Sequence, residues 1–367
     1  MNNIKLFNLN IKEKSLNIKI KKAFKSLLQH KDYVKGKDVK LFEKKFAAKN
    51  KTNYCISCNS GTDALFLILK TLNLRKKDEV IVPANSWVST AEAVLNAGGS
   101  LKFVDTNKFN NIDEDLIEKN INKNTKAIIV VHLNGLPCNM SKIIRICKKH
   151  KIKLIEDCAQ SHFAKYKHKY VGNFGYASAF SFFPTKNIGA FGDSGCVLTN
   201  NKKLSIKIRS IANHGRLNQN EYSGLGINSR MDTLQAKILN LKLVYEKKFR
   251  NIRKSYSNIY NQHLKNIDVI QLPENNLIKE PSFYLYTIRL KDNKIRNKLK
   301  HHLIKNNVET GIYYNYTLPE LYNVKNKNSF QSAINNKKQI LSLPISENFK
   351  KEEIIKCCKL IQDFFNT

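Results

Sequence analysis

Between residues 38 and 199 short β-rich runs alternate with helical patterns, and this alternation restricts the fold more than any other feature of the chain. Helical spacing in "DVKLFEKKFAAKN" (38–50) gives way to a strand pattern at 53–58. A helix at 61–72, a strand "EVIVPA" at 79–84, a helix at 89–97 and a strand "LKFVD" at 101–105 follow. The order continues with a helix near 113–120, strand "KAIIVVHL" (126–133), helix 140–150, strand "IKLIEDC" (152–158), and strands near 177–183 and 195–199. Strands joined through helices run mostly parallel and are covered on both faces, so an α/β fold with a mainly parallel sheet is expected. From Met231 to Lys265 the pattern reads as one long helix leading to a second unit. That unit holds "FYLYTIRL" (283–290), a helix at 292–306, a strand near 308–314 and a terminal helix at 350–366. The expected division is a large domain over residues 1–245, with an N-terminal segment at 1–30, and a smaller α+β domain over 246–367.

Charge narrows the class of partner. Lys and Arg number 64 against 29 Asp and Glu, a formal net charge of +35. The lysines are spread along the whole chain beside Asn and Ile, without a basic block, a helix-turn-helix signature or aromatic-basic interleaving. This is the pattern of a solvated surface, and neither nucleic acid nor membrane is expected as a partner. The longest apolar runs, such as "AIIVV" (127–131), are too short to span a bilayer, and the first residues lack a signal-peptide core, so a soluble cytoplasmic protein is expected. Of the 8 cysteines, Cys55 and Cys58 form a C-x-x-C, but in a strand positions i and i+3 point to opposite faces. The cysteines read as reduced, buried thiols, and no metal site is expected.

Three stretches fall at the carboxyl ends of strands, where ligands bind in sheets of this type. "CNSGTDAL" (58–65) follows a strand and opens a helix. Ser60, Gly61 and Thr62 there offer free N–H groups and a positive dipole end for a phosphate, although Ser-Gly-Thr also makes an ordinary capped helix start. "LIEDCAQSH" (154–162) leaves Asp157 at the end of an apolar strand, either facing a cation or capping the next segment. "FSFFPTKNIGAFGDSGC" (180–196) places Lys186 between aromatic residues and glycines that permit close backbone approach. An amine must lose water or meet a carbonyl before it reacts near neutral pH. Together a phosphate cradle, a lysine and a buried carboxylate match the needs of pyridoxal 5′-phosphate. Trp87, the single tryptophan, also follows a strand end and reads either as core or as an aromatic lid over the cofactor ring.

At this point the chain resembles the DegT/DnrJ-type pyridoxal-phosphate-dependent nucleotide-sugar aminotransferases, which have the aspartate aminotransferase (type I) fold. The resemblance runs through "SGTDAL", "VIVPANSWVSTAEAVLNAGGSLKFVD", "VVHLNGLPCNM", "LIEDCAQSHFAKY", "VGNFGYASAFSFFPTKNIGAFGDSGCVLT" and "GINSRMDTLQAKIL", and so covers nearly the whole chain. It implies that Lys186 holds the cofactor covalently, that Asp157 pairs with the pyridine nitrogen, that Gln160 lies beside the ring hydroxyl, and that Trp87 stacks on the ring. Gly61, Thr62 and Ser181 would hold the phosphate. Asn228 would reach the phosphate of a neighbouring subunit, making a homodimer with shared sites, while Arg230 reads as structural. The implied reaction is a ping-pong transamination of a nucleotide-linked keto-hexose with glutamate as donor, in aminosugar biosynthesis for a surface polysaccharide or glycoconjugate. "FFPTKNIGAFGDSG" resembles members acting at sugar C3 more than those acting at C4. Tyr313, Tyr284 and Asn134 depart from the family pattern, the two tyrosines standing where histidines are common. The rival readings are another reaction on the same scaffold, such as a sugar dehydratase or an amino-acid transaminase, and a non-catalytic regulatory relative; Lys186 argues against the dehydratase branch, which carries histidine at that point.

Overall fold

A computed structural model describes residues 3–273, 278–324 and 327–366. Its centre is a seven-stranded sheet built from β1 (Tyr54–Cys58), β2 (Glu79–Pro83), β3 (Ser100–Val104), β4 (Thr125–Val131), β5 (Lys153–Asp157), β6 (Ala177–Ser181) and β7 (Gly195–Thr199). The spatial order is β1-β7-β6-β5-β4-β2-β3. All neighbours pair in parallel except β7, which runs antiparallel to both β1 and β6. The expected mainly parallel sheet is therefore present.

Period-two burial explains why both faces are covered. In β2 and β4, Val80, Val82, Ala127 and Ile129 enter one apolar cluster, while Ile81, Ile128 and Val130 enter another on the opposite side. The first cluster is closed by helices α3 (Gly61–Lys70), α4 (Ser89–Asn96) and α6 (Lys202–Ile211). The second face is covered by α5 (Met140–Lys149) and, nearer β6 and β7, by α1 (Lys14–His30), α2 (Lys37–Asn50) and α7 (Thr233–Lys242). In α5 the residues Met140, Ile143, Ile146 and Cys147 recur at helical spacing and all are buried. A separate cluster lies between α8 (Glu246–Leu264), the helices Asn293–Lys305 and Lys351–Asn366, and a three-stranded sheet of Ile270–Gln271, Tyr286–Leu290 and Ile340–Leu343. Among the described residues no helix is long and apolar enough to cross a membrane.

Three element expectations need correction. The helix near 113–120 is a run of turns ending in one 3₁₀ turn, Glu118–Asn120. Asp113 accepts from the Asp115 N–H at 3.0 Å, a side-chain bond that competes with helix formation. The long helix over 231–265 is two helices, α7 and α8, separated at residues 243–245. Neither glycine nor proline marks that break. Instead α7 packs on α1 and α2 whereas α8 packs on the terminal helix, and two directions of packing cannot be served by one straight rod. Residues 308–314 make only single bridges, Val308 to Ile4 and Gly311 to Ser342. The third strand of the small sheet is Ile340–Leu343, a four-residue apolar run too short to be told from a helix end by its pattern.

One buried network fixes the strand that carries Asp157. Glu156, fully buried on the opposite face of β5, accepts N–H bonds from Gly172 (2.7 Å), Phe174 (2.6 Å) and Gly175 (2.8 Å). His132 Nε2 lies 3.2 Å from the same carboxylate, and His132 Nδ1 accepts from the Cys138 N–H at 3.1 Å. Each donor would be orphaned in Glu156→Ala. We expect that variant to lose about 3–5 kcal/mol of stability in denaturant titration. A loss no larger than that of an exposed glutamate would refute this account of the network.

Candidate active site

Each strand end predicted to carry chemistry opens onto one cavity. β1 leads into α3, whose N-cap is Ser60; the Ser60 hydroxyl accepts from the Asp63 N–H at 3.0 Å. The first-turn N–H groups of Gly61 and Thr62 have no carbonyl of their own helix to meet. A Cβ on Gly61 would sit 2.6 Å from the Ser181 Cβ, so only glycine lets the helix start approach the end of β6. Thr62 Oγ1 lies 2.7 Å from Ser89 Oγ at the start of α4. Hydroxyls and free N–H groups thus gather at one positive helix end.

Asp157 ends β5 and is 6% exposed. One carboxylate oxygen accepts from the Ala159 N–H at 3.0 Å and the other from Thr90 Oγ1 at 3.3 Å. Burial raises its pKa above the usual carboxylate range, and these two donors and the Lys186 charge oppose that only in part. Lys186 follows the corner after β6, where its N–H donates to Phe183 O at 2.9 Å. Surrounding protein pushes the amine down to about 8, with Asp157 pulling the other way. Gln160 is buried, accepting from the Asn134 N–H at 2.7 Å and donating to Tyr314 Oη at 3.1 Å.

The cavity between these groups measures about 450 Å³, within the range of sites for small ligands. Seven of the eight residues expected in the site line it: Gly61, Thr62, Trp87, Asp157, Gln160, Ser181 and Lys186. Trp87 is half exposed, tilted against Tyr314 with ring centres 5.6 Å apart, and so is not a core residue. The eighth, Asn228, is exposed and bridges Asn213, outside its own chain's cavity. Tyr284 and Tyr313 line the wall, whereas Asn134 lies outside it and meets it only where its backbone N–H donates to Gln160.

Sequence reading missed Phe7, Thr90, Phe183, Thr185, Asp193 and Tyr314, which also line the cavity. Thr185 could have been found by its position next to Lys186. Phe7 left no signal: it arrives from the N-terminal segment because Ile4 bridges Val308 and its N–H donates to Asn307 O at 2.8 Å.

The residues fit the cofactor that their chemistry suggests. The free N–H groups of the helix start suit a dianion, the buried acid offers a carboxylate whose charge the protein only partly answers, and the desolvated amine can join an aldehyde. A lysine and a buried acid facing one cavity at the carboxyl ends of a mainly parallel sheet define a pyridoxal-phosphate enzyme of the aminotransferase fold. The chain belongs to the DegT/DnrJ/EryC1/StrS aminotransferase family, whose description matches residues 14–362, and members of that family use pyridoxal 5′-phosphate. It is 36% identical over 341 residues to a dTDP-3-amino-3,6-dideoxy-alpha-D-galactopyranose transaminase of Aneurinibacillus thermoaerophilus, covering 91% of this chain and 92% of the relative. It is 35% identical over 341 residues to a UDP-N-acetyl-3-dehydro-alpha-D-glucosamine 3-aminotransferase of Acidithiobacillus ferrooxidans, covering 92% and 91%. The solved structure of DesV from S. venezuelae superposes with a TM-score of 0.95 over 100% of both chains at 28% identity.

Proposed function

We propose that this aminotransferase moves an amino group from glutamate to the C3 keto carbon of a nucleotide-diphosphate hexose. The observation that carries the reading is the convergence of Lys186, Asp157 and the Gly61–Thr62 helix start on one cavity. Two relatives whose names place the amino group at sugar C3, one on a dTDP sugar and one on a UDP sugar, support the choice of carbon.

When bound, the cofactor supplies an electron sink for the carbon that loses its proton. The chain's own residues do the rest. Gly61, Thr62 and Ser181 bind the phosphate, Asp157 holds a proton at the ring nitrogen, Trp87 and Gln160 orient the ring, and Lys186 is both its covalent anchor and the base that moves the proton. In this reading Asn228 completes the phosphate site of a second copy, which accounts for its position on the surface away from its own cavity. The working unit is then a cytoplasmic homodimer, each chain divided near the turn between α7 and α8, and its product feeds a surface polysaccharide or glycoconjugate.

The test loads the enzyme with the amine form of the cofactor and adds a panel of dTDP- and UDP-linked hexoses carrying a keto group at C3 or C4. A C3 ketone that restores the aldehyde spectrum and yields the aminosugar supports the proposal. Restoration by C4 ketones alone, or by 2-keto acids alone, defeats it.

A further inference from the structure

The Lys186 amine lies 4.3 Å from the centre of the Tyr284 ring. That ring is held on several sides. It is 5% exposed, its hydroxyl lies 3.1 Å from Thr185 Oγ1, and Phe7 stacks on it with ring centres 5.7 Å apart. Its backbone is pinned by Arg253, which donates to the carbonyls of Phe283 and Ile345, each at 3.0 Å, and pairs with Glu347 at 2.7 Å. The lysine, by contrast, swings on four single bonds and borders a second crevice lined by Lys242, Arg253 and Glu347, into which it could turn.

We propose that Tyr284 is a positioning residue for Lys186, its ring face keeping the amine at the mouth of the site whenever that amine is not covalently engaged. The proposal rests on the aminotransferase reading above. In each half-reaction the freed amine takes a proton from one carbon, becoming an ammonium, and delivers it to another, ending as the amine. One C–H bond breaks and one forms, with no net change at nitrogen. The negative face of an aromatic ring favours the ammonium stage of that transfer and limits the arc the side chain sweeps. One charged group acts on this amine, Asp157 from β5, while buried His162 is itself held down to about 3, by burial first and by the Lys186 charge second.

The test compares Tyr284→Leu, which keeps the site dry but removes the ring, with Tyr284→Phe, which keeps the ring and loses only the hydroxyl. In the holoenzyme Tyr284→Leu is expected to slow the donor and acceptor half-reactions by a similar factor, about fivefold or more, with half-saturating concentrations unchanged. Tyr284→Phe is expected to recover most of both rates. In the cofactor-free full chain, acetylation of Lys186 by acetic anhydride, read by peptide mass spectrometry, should run about two- to fivefold faster in Tyr284→Leu than in wild type or Tyr284→Phe. Slowing confined to one half-reaction, a raised half-saturating concentration, or a Phe variant as impaired as Leu overturns the proposal. If the wild type performs no half-reaction with any donor, the functional reading fails. The acetylation comparison then decides alone: faster labelling in Leu only supports the contact, and equal labelling overturns it.

Discussion

Lys186→Ala is expected to give a folded protein without the visible absorbance band of the covalently held cofactor, and with turnover reduced roughly a thousandfold or more. The size of the effect follows from the two roles, anchor and base, that the proposed mechanism gives to one amine. As anchor, Lys186 is the only lysine among the described residues that line the cavity. As base, it is prepared by its surroundings. Burial holds the amine at about 8 instead of its usual 10.5, so near neutral pH far more of it is unprotonated than of a surface lysine. The same shift fixes a pH signature. Labelling of Lys186 in the cofactor-free wild type should rise with pH and level off just above 8, not above 10. For stability the sign runs the other way from an ion pair. Between about 8 and 10.5 the unfolded chain binds the proton that the folded chain has released, so this group makes folding more favourable as pH climbs through that window. A variant that keeps both the band and the turnover would remove Lys186 from the mechanism.

Asp157→Asn is expected to retain the cofactor, because the proposed phosphate cradle and Lys186 are untouched, yet to lose roughly 10²–10⁴ in the rate of both half-reactions. In the proposed pairing the carboxylate would keep a proton on the ring nitrogen, and a neutral amide would not. Burial raises the Asp157 pKa, so the folded protein binds its proton more tightly than the unfolded chain, and this group costs stability as pH rises above the ordinary carboxylate range. The cofactor-free Asn variant should therefore melt higher than wild type at neutral pH, and the gap should close in acid. Half-reaction rates close to wild type in stopped-flow absorbance would sink the assignment of Asp157. A fall in rate with no gain in melting temperature would instead refute the account of its burial.

Much of this protein could be read along the chain because the relevant signals are local. The alternation of β-rich and helical runs dictated a mainly parallel sheet, since each short apolar strand followed by an amphipathic helix has few other ways to bury both faces. Gly61, Asp157 and Lys186 stood out because each combines an unusual residue type with a strand end, and strand ends in such a sheet converge. The turn between α7 and α8, the absence of a helix at 113–120 and the strand Ile340–Leu343 were not legible in this way. Each depends on what a segment packs against, or on a side-chain bond that competes with the helix, and neither is a property of the segment's own periodicity.

The site divides along the same line. By itself the sequence determined the sheet, the helix start at Gly61, the buried acid and the lysine beside the cavity, all through short-range chemistry. Only the tertiary structure decided that Phe7, from the start of the chain, would lie against Tyr284, and that the Tyr284 ring would meet the Lys186 amine at 4.3 Å. Contacts between residues as far apart as Phe7 and Tyr284 are set by how distant segments of the chain come together in one cluster, and no local pattern in the chain records that meeting.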